Sequence, residues 1–202
     1  VTDDLLDLDL GSAPRPSEMP DVRLLGRPTV NAKQVRSTKP LELVAAVALA
    51  GGRYSRDGLV SGIYGGEASD SALPTLAYRA RLLGLPVEYD PYTGFYALTS
   101  AISLDVVDVL RLSAAGRASD ALCLYRGPFL PRSGSPFAAT LRAEIDNAVA
   151  QAALATGDQR VIEYAARAVL HPMLADAVRR ARPDVASTVL GAAYLRGIGA
   201  TS

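Results

Sequence analysis

The chain has no tryptophan, one cysteine and one histidine. A single cysteine excludes an internal disulfide. Its place in the apolar run Ala121-Leu122-Cys123-Leu124 predicts a buried structural thiol rather than a nucleophile. With only His171 and no second cysteine, a tetrahedral zinc site has almost no ligands to draw on. A Ser-His-Asp triad would have to use His171, which precedes Pro172 at a helix end, and nothing in the sequence places a nucleophile beside it. No enzyme, metal or cofactor is therefore expected. No apolar run approaches the roughly 18 residues of a membrane span and no signal peptide is legible, so a cytoplasmic protein without membrane attachment is expected. Net charge is missing as well, since 21 Lys and Arg balance 21 Asp and Glu. Bulk charge thus gives no sign of nucleic-acid binding.

What the chain does have is apolar content, at 49%, enough for a proper core in one domain or two small ones over 202 residues. Its charge is also unevenly placed. Residues 1–21 hold one Arg against six acids, residues 22–98 nine bases against six acids, and residues 99–202 eleven against nine. Residues 1–20 read as a flexible acidic leader, because prolines, acids and a Gly-Ser pair disfavour packing. Within it DDLLDLDL alternates acidic and apolar residues. That pattern suits a short binding motif, a segment docked in cis on a basic surface, or simply a linker remnant. The first residue is Val, as a fragment of a longer protein, an alternative start codon or processing would each give.

Beyond the leader, the runs VRLLG (22–26) and PTVNA (28–32) predict a small antiparallel sheet, with a third short strand near 34–36. Pro40 sits at a first helical position, and Leu41, Val44, Ala45, Ala48 and Leu49 make an apolar stripe ending at Gly51-Gly52. Ser55 caps a second helix whose Leu59, Val60, Ile63 and Tyr64 face inward and which closes at Gly65-Gly66. Residues 87–90 and 95–98 flank a turn and predict a hairpin. Helical periods alone follow: about 103–115 with Val106, Val107, Leu110 and Leu112 apolar, then 117–126, 136–155, 158–170, 173–182 and 184–195. Ser135-Pro136 caps the long one, and its Phe137, Leu141, Ile145, Ala148 and Ala152 are expected to pack on the 104–126 pair. Short loops between helices are the grammar of tetratricopeptide-like stacks, although no clean 34-residue repeat stands out. The expected fold is mainly α with a small β component. It has a winged helix-turn-helix over residues 21–98 and an all-α, TPR-like domain over 99–202.

The stretch that organises this reading is 70–84, DSALPTLAYRARLLG. Asp70 or Ser71 can cap its start, and Gly84 can end it in a left-handed turn. Leu73, Leu76, Ala77, Ala80 and Leu83 make one apolar face. The opposite face carries Ser71, Thr75, Tyr78 and Leu82, with Arg79 and Arg81 on its flanks. A helix with a small apolar back and a polar, basic front can seat on a domain and enter a DNA major groove. The same pattern also suits an ordinary amphipathic surface helix.

Several strings, in order, resemble a known group: KPLEL at 39–43, YSRDGL at 54–59, IYG at 63–65, RLLG at 81–84 and GFYAL at 94–98. They are similar to an OmpR-type winged helix, in the version found in the antibiotic-regulatory-protein (SARP-like) family of bacterial transcription regulators. LYRGPFLP at 124–131 resembles the helical bacterial transcriptional activation domain that follows it in that family. The resemblance covers residues 22–182. It implies that the third helix enters the major groove with Thr75, Tyr78, Arg79 and Arg81. Lys33, Arg36, Lys39, Arg53 and Arg56 are then candidate phosphate contacts on strand ends and helix starts. It also implies double-stranded DNA as a partner, binding as a homodimer or on repeats, and RNA polymerase or a sensor protein against the helical domain.

Two departures from that pattern keep a second reading open. Ala77-Tyr78-Arg79-Ala80-Arg81 stands where the family has a more basic string. The hairpin carries Glu88 and Asp90 without Lys or Arg, which repels phosphate if those acids face DNA. The alternative is an adaptor that binds no DNA and uses both domains to hold proteins.

Overall fold

A computed structural model describes residues 19–184 together with 188 and 189. The leader apart from residues 19 and 20, and the helix expected over 184–195 apart from residues 184, 188 and 189, lie outside the described residues. The architecture is mainly α with a small β component, a winged helix-turn-helix followed by a helical array. No helix among the described residues is long and apolar enough to cross a membrane.

The first half opens with strands β1 (Asp21–Arg23), β2 (Thr29–Val30) and β3 (Lys33–Gln34), which pair antiparallel in sequence order. The third strand begins one residue earlier than its sequence signal and is only two residues long. Helix α1 (Lys39–Leu49) buries every residue from Pro40 to Val47, so it lies at the centre of this half. Helix α2 (Arg56–Tyr64) is capped as expected: Ser55 Oγ accepts the Gly58 N–H at 3.2 Å, and Gly65 closes it with φ of +77°. Leu59 and Ile63 are buried, while Val60 and Tyr64 are half-buried. Helix α3 (Ala72–Leu82) buries Leu73, Leu76, Ala77 and Ala80 against α1, α2 and the first strand of the hairpin. That hairpin, β5 (Val87–Asp90) and β6 (Phe95–Leu98), is where the turn chemistry placed it.

A strand that sequence periodicity missed, β4 (Arg53–Ser55), pairs with β6 and makes the wing a three-stranded sheet in the order β4-β6-β5. A second missed strand, β7 (Ser103–Leu104), corrects the expectation that residues beyond 103 hold helices alone. It pairs parallel with β1, Asp21 opposite Ser103 and Val22 opposite Leu104. Two residues carry no readable alternation, and their partner is some eighty positions away in the chain. Helices α4 (Asp105–Ala114), α5 (Ala118–Leu124), α6 (Pro136–Ala155), α7 (Gln159–Ala168) and α8 (Pro172–Ala181) follow, each packed on its neighbour.

Three details of the helical half depart from the sequence reading. On α4 the buried side is Val106, Val109 and Leu112, while Val107 is exposed. Cys123 is exposed and not a buried thiol, because α5 buries Ala118, Ala121 and Leu122 and turns the next residue outward. His171 stands at the start of a helix, as the N-cap residue of α8. The long helix has the bounds its cap predicted, and Ser135 Oγ accepts the Ala138 N–H at 3.1 Å. It packs on α4 and α5, and it also reaches back to α1 and α2. Its buried set is correspondingly wider, with Ala138, Val149, Ala150 and Ala153 alongside Leu141, Ile145 and Ala152.

The two halves are joined by more than the chain that links them. The Leu24 N–H donates to both carboxylate oxygens of Asp105, at 2.9 and 3.0 Å, and the Leu25 N–H donates to one at 3.1 Å. On its other side this segment meets the loop 126–130. The Gly26 N–H donates to the Pro128 carbonyl, and the Leu130 N–H donates to the Leu24 carbonyl. A Cβ on Gly26 would come within 2.9 Å of the Arg126 carbonyl oxygen, and its φ of +85° is one that other residues resist. The segment that follows the first strand is thus held between α4 and the loop before α6.

Asp105→Ala leaves two largely buried N–H groups without an acceptor. It is expected to destabilise the fold by about 2–4 kcal/mol, read by denaturant titration. A loss below about 0.5 kcal/mol would mean that the carboxylate does not hold the strand. Asp146 gives a pH-dependent counterpart. Burial raises its carboxyl above the ordinary Asp value, against the Tyr125 hydroxyl that donates to it at 2.7 Å and the charges of His171 and Arg142. A carboxyl raised in the folded state contributes most below its unfolded value and loses that contribution as pH rises through the folded one. Asn keeps an oxygen for Tyr125 and never ionises. Asp146→Asn should therefore gain stability relative to wild type as pH goes from 4 to 8, and a difference independent of pH would contradict this.

Candidate nucleic-acid interface

Four of the residues expected to contact DNA converge on one feature. Arg36 and Lys39, from the approach to α1, and Thr75 and Arg79, from α3, line a single cleft of about 520 Å³. Ser37, Thr38, Ser69, Ser71 and Tyr64 are the other polar residues of its walls. Three cationic side chains and several hydroxyls between two helix starts suit an oxyanion, since N-terminal N–H groups and fixed cations favour negative charge. Lys39 is held in place there, with Nζ 3.9 Å from the centroid of the Tyr64 ring. The hydroxyl-bearing residues Ser37, Thr38 and Ser69 escaped the sequence reading. They come together only once α1 and α3 pack, and no local pattern marks them.

The start of α3 differs from its sequence signal. Ser71 is the N-cap residue, but its backbone is already helical and its side chain makes no capping bond. Asp70 does not cap either. It accepts Arg56 Nη2 at 2.8 Å, tying the beginning of α2 to the beginning of α3. Arg56 is therefore paired with Asp70, and more loosely with Asp57 at 3.7 Å. Arg53 lies across the sheet, with its guanidinium 5.1 Å from the Phe95 ring and a bond to Thr93 Oγ1 at 3.3 Å. Lys33 is exposed on β3, away from the cleft at the far edge of the four-stranded sheet.

On α3 itself Thr75, Tyr78, Arg79 and Arg81 are all exposed. Arg79 lines the cleft, and Arg81 points the other way, with Nη1 donating to the Val87 carbonyl at 3.1 Å. Arg81 thereby ties the helix to the base of the wing. The wing is less bare of cations than its hairpin sequence implies, because β4 brings Arg53 into the same sheet as Glu88. Asp90 is engaged within its own turn, accepting the Tyr92 N–H at 2.9 Å and the Thr93 hydroxyl at 2.6 Å. Those bonds hold its carboxyl below the ordinary Asp range, so the wing tip stays negative.

Beneath the cleft lies an unexpected acid. Glu42 on α1 is fully buried, and neither carboxylate oxygen meets a hydrogen-bond donor among the described residues. Tyr64 registers its proximity. Burial pushes the Tyr64 hydroxyl up, Glu42 adds to that, and Arg79 opposes it. Glu42 and Arg79 thus act on the same side chain from opposite signs, one from the core and one from the surface. Among the described residues no group of three His, Cys, Asp or Glu is placed to hold a metal ion.

No family model matches the chain, and no curated protein matches it. Among solved structures it is similar to Mycobacterium tuberculosis EmbR in complex with a low affinity phosphopeptide, at 19% identity and a TM-score of 0.43. The likeness covers 91% of this chain and 66% of that one, so the chain spans just under two thirds of that structure. A likeness of this degree identifies neither a family nor an activity.

A buried carboxyl without donors costs stability that an apolar side chain of similar shape does not. Glu42→Met is expected to raise stability by about 1–3 kcal/mol, measured by thermal and denaturant unfolding. Lower stability in the variant would show that the acid has a compensating partner in the folded protein.

Proposed function

We propose that the chain is a DNA-binding transcription regulator. The observation that carries this is the cleft in which Arg36, Lys39, Thr75 and Arg79 meet, beside the exposed front of α3. In this reading α3 enters the major groove and the cleft receives the phosphates of one strand on the groove wall. Arg36, Lys39 and Arg79 carry that contact with charge-assisted bonds. Arg53, Arg56 and Lys33 stand outside it and add at most distant attraction. Residues 21–98 are the reading domain, and residues 99–202 offer a surface to RNA polymerase or a sensor protein. A homodimer or a run of repeats would supply the affinity that three cations on one chain do not. The order of sequence strings shared with SARP-like regulators supports the same reading.

A non-DNA adaptor is the second reading. The observation that favours it is the apolar, exposed set Tyr78, Leu82, Tyr89 and Tyr92 beside the acidic Glu88 and Asp90. Those residues suit a protein partner better than a phosphate backbone.

The test is a fluorescence-anisotropy titration of wild type, Arg79→Ala and Arg81→Ala on genomic fragments selected by the wild type, at several salt concentrations. Arg79→Ala should weaken every fragment alike and reduce the salt slope by about one unit, as loss of one phosphate contact does. Arg81→Ala should act through the wing and leave the salt slope within about half a unit. If the wild type retains no fragment, the adaptor reading takes its place.

A further inference from the structure

The front of α3 carries an unusual set of side chains for a helix that reads DNA. Thr75, Tyr78 and Leu82 recur at i, i+3 and i+7 on one stripe, and Tyr78 and Leu82 are 56% and 68% exposed. No Asn, Gln, Asp or Glu stands on α3. Its two arginines are both committed elsewhere, Arg79 in the cleft and Arg81 on the Val87 carbonyl. The stripe therefore offers a methyl group, an aromatic ring and an isobutyl group, with two hydroxyls as its only hydrogen-bonding groups.

Base edges in the major groove differ in the same terms. All four bases present a donor or an acceptor there, and thymine alone adds a methyl group. Resting on the DNA-binding reading above, we infer that α3 selects its site chiefly by apolar contact with thymine C5-methyl groups, with Tyr78 and Leu82 as the specificity-determining residues. The stripe from Thr75 to Leu82 is about 10 Å long at the helical rise, which spans roughly three base steps. Charge complementarity fixes the occupant and the side it lies on. Arg36, Lys39 and Arg79 flank the stripe at the cleft and match a phosphate strand, while Glu88 and Asp90 on the wing side turn one away. The bound segment is accordingly rich in A·T pairs where the helix sits. Its recognition depends on shape and methyl burial more than on hydrogen bonds.

The experiment uses the full chain and a duplex that the wild type selects. Each thymine in the protected region is replaced in turn by deoxyuridine, which removes the methyl and keeps the pairing. At one to three positions affinity should fall about three- to fivefold, the weight of one buried methyl, with the other replacements silent. Leu82→Ala should abolish the response at one of those positions and Tyr78→Ala at another, with melting temperatures unchanged because both side chains are exposed. Binding that ignores every uracil overturns the thymine reading and leaves DNA binding standing. So does a uracil response that both variants retain. A wild-type chain that selects no duplex overturns the DNA reading itself, and this inference with it. Capture of a purified protein partner in a manner that Leu82→Ala abolishes would then assign the stripe to that partner.

Discussion

Everything in this structure hangs on what happens to three residues, Leu24 to Gly26. A strand as short as β1 cannot be stable by itself, and its outer N–H groups would be exposed or wasted if only β2 paired with it. β7 pairs along β1 itself, Asp105 accepts the N–H groups of Leu24 and Leu25 just beyond the strand, and the loop after α5 takes the backbone of Leu24 and Gly26 from the other side. The N-terminal sheet is thus completed by residues from the helical half. The RGPFLP segment, which reads in sequence as part of a helical domain, spends its backbone on the residues just after the first strand. Gly127 is required by the same approach, since its Cβ position lies 3.2 Å from the Gly26 Cα, at a φ of +147°.

The interlock explains why the long helix has two audiences. Phe137 stacks edge-on against Phe129 at 5.9 Å, and its Cβ lies 3.4 Å from where a side chain on Gly62 would begin. Arg142, one turn further on, donates to the Phe129, Leu130 and Ser133 carbonyls. The loop that clamps the segment after β1 is therefore fastened to the helix that packs on α2. The winged half and the helical half share one continuous core.

How much of this the sequence disclosed follows from the range of each interaction. Helix existence, the Ser55 and Ser135 caps, the bounds of α6 and the wing hairpin were legible, because each rests on periodicity or turn chemistry within a few residues. β4 and β7 were not, since two or three residues carry no alternation and their partners are distant. Cys123 was misplaced because an apolar run shows that a helix has a buried side without showing where that side ends. The candidate site divided in the same way. The exposed front of α3 could be read from its spacing. That Arg79 joins Arg36 and Lys39 while Arg81 serves the wing depends on how α1, α3 and β5 pack, which no local pattern records.

Neutral overall charge is also less of an objection to DNA than it first looks. The field that steers an anion is local, and acids already paired or turned away count little against it. Asp70 and, more loosely, Asp57 share the one cation of Arg56, and Asp90 accepts bonds within its own turn, so each of these three acids has a partner. Glu42 is the exception. It stands on the same helix as Lys39 and close enough to Tyr64 to act on its hydroxyl, in a medium that screens poorly. Burying an unpaired acid there costs stability in the free protein. On the DNA-binding reading proposed above, a carboxylate at that depth opposes a phosphate at the cleft. On that reading, a second copy or a second contact would add to what the three cations of one chain supply.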